Sequence, residues 1–316
     1  MMFPSNSILS VIFISELCVG VIGNSSFLMV YVYSFLIKAH FSTPIDAIYM
    51  HLMIVNMLTI IFPLIPYIMS SFGVPIFLDD AGCKAILYVY RVTQGLSICT
   101  TSILSTFQAI TITPSNSKWS LLKPKLSTWT FRSFLFSWFI NLLIYVHIIE
   151  SAIAKINYTD VDLGYYHPYC KRRGPEYHNL ELFLSIIMIR AIFFLAIMMW
   201  TSLYMMTLLY RHRKRTQHLH SPSISSHPSP EQRATHSILM LVSCFVLFYL
   251  LNNFITLPGF CIYERMPSLG AITVIISLFY PIFCPFLLMN TNKIISQFIS
   301  SIQVLRITCF QREVGD

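Results

Sequence analysis

The chain has 316 residues; 55% are apolar, 11% are charged and the formal net charge is +8. A soluble domain carries about 25% charged residues, so this chain lacks the polar surface that a soluble enzyme needs. Its wealth of apolar side chains also excludes intrinsic disorder, and a polytopic membrane protein remains.

A membrane-crossing helix needs about 20 mostly apolar residues, and seven such runs occur, near 8–37, 44–71, 85–111, 129–153, 180–210, 234–260 and 269–290. Period-2 alternation, the mark of a membrane barrel, is missing. The expected fold is therefore an all-α membrane protein, a seven-transmembrane helix bundle occupying 1–316 as one domain. No internal repeat supports an inverted-repeat transporter.

The first run follows no Lys or Arg and exceeds a signal-peptide core, so it is expected to be span 1 and not a cleaved leader. It holds Glu16, expected as a neutral or paired interior carboxyl, and the sequon pattern Asn24-Ser25-Ser26, which its place inside a span makes unusable. Span 2 carries Asn56 and two helix-kinking prolines, Pro63 and Pro66. Cys83 stands at the outer mouth of span 3, and Arg91 lies eight residues on, about 12 Å deeper at 1.5 Å per residue. Leu87, Tyr90, Arg91, Gln94 and Ile98 share one helical face. That face mixes aromatic, cationic and amide groups at a depth suited to a ligand cavity; the alternative for Arg91 is a side chain that snorkels outward.

Span 4 ends near His147 and Glu150. The loop after it holds Cys170 and the sequon Asn157-Tyr158-Thr159, a candidate glycosylation site at Asn157. Arg190 in span 5 lies nine residues inward of Glu181, about 14 Å. It is expected either to pair with Glu150 and His147 or to touch a ligand. Arg211, Arg213, Lys214 and Arg215 follow, then the Ser/Pro-rich stretch "SPSISSHPSPEQ", and Arg233 opens span 6. Of Asn252 and Asn253, one is expected to face the cavity and the other to hydrogen-bond a neighbouring helix. Tyr280 in span 7 either closes the cavity floor or packs in the core. His212, His218, His220, His227 and His236 lack a fixed ligand spacing, so neither a metal nor a cofactor is expected.

Loop charge orients the bundle. Lys38, Lys118, Lys123, Lys125, Arg132, Arg211, Arg213, Lys214, Arg215, Arg233, Lys293, Arg306 and Arg312 fall on one side. Lys84, Lys155, Lys171, Arg172, Arg173 and Arg265 fall on the other, and thirteen against six places the first set in the cytoplasm. The N-terminus is then extracellular and the C-terminus cytoplasmic. The positive charge reflects the inner leaflet, not nucleic acid. Cys83 and Cys170 both face the oxidising side and are expected to be bonded.

Seven helices with this disulfide resemble a G-protein-coupled receptor, yet the rhodopsin-like landmarks are mostly missing. Span 2 has Asn56 where an acidic residue is usual, and span 7 ends in Tyr280-Pro281-Ile282-Phe283-Cys284-Pro285-Phe286. The stretch Tyr90 to Thr101, "FQAITITPSNSKW" at 107–119, "LKPK" at 122–125, "YRHRKRTQHLHS" at 210–221, "SPEQRAT" at 229–235 and "PFLLMN" at 285–290 together resemble the mammalian vomeronasal type-1 receptor family. The resemblance runs from about residue 20 to 295. Gln94 stands where the family often has a second basic residue, and Cys284 where a Ser is common.

The resemblance implies a multi-pass plasma-membrane receptor for pheromone-like small molecules, volatile or steroid-like, signalling through an inhibitory-class heterotrimeric G protein. Tyr90, Arg91, Gln94, Arg190, Asn252, Asn253 and Tyr280 are the candidate ligand contacts. Gln108, Lys118, Arg213 and Arg233 are the candidate G-protein contacts, with a lipid-facing basic collar as the alternative. A bitter-taste-type receptor is the nearest other receptor, and a small polytopic transporter the nearest other class. An enzyme would need a nucleophile and base, or two carboxylates, at matched depth; Glu16 is the only acidic residue deep in a span.

Overall fold

The computed structural model describes residues 4–38, 44–74, 78–154, 169–172, 180–219, 230–261 and 267–289. In chain order these form α1 (Pro4–Lys38), α2 (Pro44–Ser71), α3 (Asp80–Thr111), a 3-10 helix (Lys118–Lys125), α4 (Leu126–Ile144) and α5 (Val146–Ser151). Strands β1 (Ala152–Ala154) and β2 (Cys170–Arg172) follow, then α6 (Leu180–Leu219), α7 (Pro230–Cys261) and α8 (Pro267–Met289). Two departures from the all-α expectation stand out. The fourth span breaks at Tyr145, and β1 pairs antiparallel with β2, Ala154 opposite Cys170.

Six apolar stretches are long enough to cross a bilayer: Ile8–Ser34, Pro44–Ser71, Lys118–Ser151, Ser185–Arg211, Thr235–Asn252 and Gly270–Met289. Helix α3 is not among them, although its 32 residues reach about 48 Å at 1.5 Å per residue. It holds Thr93, Gln94, Ser97, Thr100, Thr101, Ser102, Ser105, Thr106 and Gln108, which dilute its hydropathy. The reason is its place. It packs against α2, α4, α6 and α7, and 18 of its residues are buried. A helix walled by protein has no need of a lipid-facing surface. Its threonine hydroxyls bond back to its own carbonyls, as in Thr93 to Val89 O, Thr100 to Leu96 O and Thr101 to Ser97 O.

Helix α4 shows the converse. Its buried residues are Thr130, Ser137 and Asn141, a polar stripe at helical spacing, while Trp129, Phe131, Leu135, Phe136, Phe139 and Leu143 are exposed. In a bilayer the apolar face meets lipid and the polar face must find partners inside the bundle.

Proline kinks are compensated locally. Pro285 has no N–H to give to the carbonyl of Pro281, and Asn24 supplies one from α1. Its Nδ2 donates to Pro281 O at 3.0 Å and to Gly20 O at 2.8 Å. This explains why an Asn sits within span 1 with no glycosylation role.

Cys83 and Cys170 are disulfide-bonded. The bond ties β2 to the start of α3. Ala154 N donates to Asp80 Oδ1 at 2.7 Å, and Tyr169 Oη to Val74 O at 3.1 Å. Tyr169 is fully buried, so residues 169–172 are packed onto the bundle.

Candidate functional site

A narrow cavity of about 30 Å³ opens between α2, α3, α7 and α8. Gln94, Ser97 and Ile98 line it from α3, with Thr59 from α2. Phe245, Phe248, Tyr249 and Asn252 line it from α7, and Ser277, Tyr280 and Pro281 from α8. On α7 these fall at i, i+3, i+4 and i+7, one helical face. Among the described residues, no charged side chain lines the cavity.

The donors and acceptors around it are determined. Thr101 gives its proton to Ser97 O, so the 2.5 Å contact between Thr101 and Tyr280 has the Tyr280 hydroxyl donating. Ser277 gives its proton to Val274 O, so Tyr90 Oη donates to Ser277 Oγ at 3.0 Å. Ser97 donates to Asn56 Oδ1 at 3.0 Å, and Thr59 to Val55 O at 2.8 Å. Arg91 is half-buried; its Nη1 donates to Gln94 Oε1 at 3.2 Å, and its guanidinium lies 5.4 Å from the Tyr90 ring centre.

Of the seven expected ligand contacts, Gln94, Asn252 and Tyr280 line the cavity. Tyr90 and Arg91 stand immediately behind it, each bonded to a lining residue. Asn253 is on α7, with its side chain outside the described ones. Arg190 does not line this cavity. It faces α4, where Nη1 donates to Asn141 Oδ1 and Nη2 donates to Tyr145 Oη at 2.9 Å, with the Tyr145 ring 5.3 Å away. The expected partners lie elsewhere: Glu150 is exposed, and His147 packs on Phe183 at 4.8 Å. Asn141 and Tyr145 lie inward of them on the fourth span, level with Arg190, and are the groups the guanidinium can reach. Gly95 permits this approach, since a Cβ there would run into Asn141 Oδ1 and Arg190 Nη1.

Nearer the other end of the bundle from the disulfide, His51 bridges three helices. Thr100 gives its proton to Leu96 O, so His51 Nδ1 donates to Thr100 Oγ1 at 3.0 Å, and Trp138 Nε1 donates to His51 Nε2 at 3.0 Å. Gln108 is buried in this arrangement, with Nε2 donating to Thr235 Oγ1 at 3.1 Å. An amide on the inner turn of a walled-in helix satisfies itself against the next helix. Lys118 is exposed at the start of the 3-10 helix. Arg213 and Arg233 lie on α6 and α7 with side chains outside the described ones, and Asn157 falls outside the described residues. Glu16 is buried, and neither of its carboxyl oxygens has a hydrogen-bond partner among the described residues.

Sequence reasoning missed Thr59, Ser97, Phe245, Phe248, Tyr249 and Ser277. A signal existed. Ser97 lies at i+3 from Gln94, Ser277 at i−3 from Tyr280, and the α7 aromatics lead to Asn252 in helical steps.

The model of the vomeronasal organ pheromone receptor family matches residues 7–301. Vomeronasal type-1 receptor 4 of Homo sapiens is 33% identical, over 90% of this chain and 94% of that protein. Vomeronasal type-1 receptor 45 of Mus musculus is 33% identical over 89% of this chain and 87% of its own length. Vomeronasal type-1 receptor 94 of Rattus norvegicus is 33% identical over 94% and 90%. With a family match across nearly the whole length and six apolar helices of spanning length, the chain belongs to the vomeronasal organ pheromone receptor family and is a multi-pass protein of the plasma membrane.

Proposed function

We propose that this chain is a chemosensory receptor with seven spans and an extracellular N-terminus, α3 being the span that hydropathy alone overlooks. It binds a pheromone-like small molecule in the cavity between α2, α3, α7 and α8, and signals through an inhibitory-class heterotrimeric G protein. One observation carries this reading: α3 lines the cavity with its outer half and holds α6 and α7 with its inner half. Ser105 donates to Thr201 Oγ1 at 2.6 Å, since Thr201 gives its own proton to Ile197 O. Tyr204 donates to Thr113 Oγ1 at 3.1 Å, since Thr113 serves Ala109 O. Gln108 holds Thr235.

A ligand that favours another arrangement of α3 shifts this population and lets α6 and α7 part at the cytoplasmic end. Lys118, Arg213 and Arg233 then serve as docking cations. Gln108 keeps the resting state closed. A neutral hydrogen bond contributes about 1 kcal/mol, so Gln108→Leu is expected to raise ligand-independent nucleotide exchange about fivefold. Basal exchange at the wild-type level, with normal surface expression, would sink the latch.

The test of the whole reading is nucleotide exchange on an inhibitory-class α subunit, in membranes expressing this chain, against volatile and steroid mixtures. A ligand-dependent rise is expected. Silence with the protein at the surface overturns the coupling, and ligand-dependent ion flux by the isolated protein would favour a transporter instead.

A further inference from the structure

We infer that Gln94 reads a hydrogen-bond acceptor on the ligand, a carbonyl or ether oxygen on an otherwise apolar skeleton, and that Arg91 positions it to do so. The inference rests on the cavity being the ligand site proposed above. Of the five lining hydroxyls, four have spent their protons: Thr59 on Val55 O, Ser97 on Asn56 Oδ1, Ser277 on Val274 O and Tyr280 on Thr101 Oγ1; the fifth, Tyr249, and the Asn252 amide stand on α7 with interactions of their own. Those four offer a ligand oxygen atoms only.

Gln94 differs. Its Oε1 accepts from Arg91 Nη1 at 3.2 Å. A guanidinium only donates, so the amide atom facing it must be the oxygen, which removes the usual ambiguity between the two ends of a Gln. The amide is planar, and fixing Oε1 toward Arg91 turns one Nε2 hydrogen the opposite way and leaves Nε2 as the donor end of a residue that lines the cavity. Arg91 also polarises that amide and strengthens its donors. No carboxylate lines the cavity among the described residues, so a ligand ammonium would meet N–H dipoles with a cation behind them. A ligand anion would bring a full charge into an uncharged lining, at a desolvation cost that a neutral carbonyl avoids. Gln94 is thus a specificity-determining contact and Arg91 a positioning residue.

The test uses the full chain in lipid nanodiscs and four probes on one carbon skeleton: 2-decalone, 2-decalol, 2-aminodecalin and 2-decalyl sulfate. Binding is read as ligand-dependent thermal stabilisation. The decalone is expected to bind best and the amine at least tenfold more weakly. Gln94→Leu should weaken the decalone about tenfold, equivalent to ~1.4 kcal/mol, and Gln94→Glu should invert the preference toward the amine. Arg91→Met should erode the ketone-over-amine ratio while leaving the fold stable, a change that a merely structural role would not produce. Equal binding of ketone and amine, an unchanged decalone affinity in Gln94→Leu, or no binding by any probe would each overturn the inference. A sulfate that binds as well as the ketone would move recognition to Arg91 and overturn it too. The expected order without nucleotide exchange would leave it standing and overturn the coupling instead.

Discussion

Cys83→Ser and Cys170→Ser will each cut surface expression to the same low level, and the double variant will be no worse. The two sulfurs form one bond closing a separation of 87 residues. In the chain-entropy account a loop of that size approaches the ~4.7 kcal/mol of a 100-residue loop. The bilayer already confines the α4 span inside this loop, so the loss is expected toward the lower part of the 2–5 kcal/mol seen for native disulfides. The bond also seats Tyr169 and aligns β2 on β1. Losing either sulfur therefore releases the same outer connection, and a double-mutant cycle should be strongly non-additive. Additive losses would show that the two cysteines act separately.

The second large effect belongs to Arg190. Asn141→Leu is expected to remove most mature protein from the surface, because it leaves a buried guanidinium with one N–H group facing a methyl. Hydrogen bonds to charged groups contribute about 1.5–3 kcal/mol, and stranding a buried charge costs more than removing it. Arg190→Met in the Asn141→Leu background should therefore restore much of the lost expression. A double variant no better than Asn141→Leu alone would mean that the guanidinium is not the source of the damage. The same pair separates a structural role from a ligand role: the rescued variant should keep its ligand response, since Arg190 faces α4 and not the cavity.

These two cases mark how far linear sequence reaches. The disulfide was legible because the orientation expected from loop charge put Cys83 and Cys170 on the same, oxidising side. The partners of Arg190 were not legible. Depth along a helix follows from a fixed rise per residue, but rotation about the helix axis decides which neighbour a guanidinium meets, and that is a property of two helices together. Gln108 illustrates the same point. A polar residue near a cytoplasmic end reads equally well as exposed or as tied to the next helix, and the proximity of Thr235 on α7 selects the second.

Helix α3 carries the point furthest. Its face of Leu87, Tyr90, Arg91, Gln94 and Ile98 suggested cavity lining, whereas among the described residues Gln94, Ser97 and Ile98 are the ones of α3 that line it. Thr93, Thr100, Thr101, Thr106 and Thr111 serve its own carbonyls, and Ser105 a neighbouring helix.

The apolar run lengths and helical periodicity depend on bilayer thickness and backbone geometry alone, and both are written residue by residue. The helical class, approximate helix ends and the membrane class could therefore be read without any partner in view. Which helix sits at the centre, where Arg190 and Gln108 point, and which three residues of α3 meet open space are pairwise facts. They came into being only when the helices packed, because burial of each polar group depends on what stands opposite it.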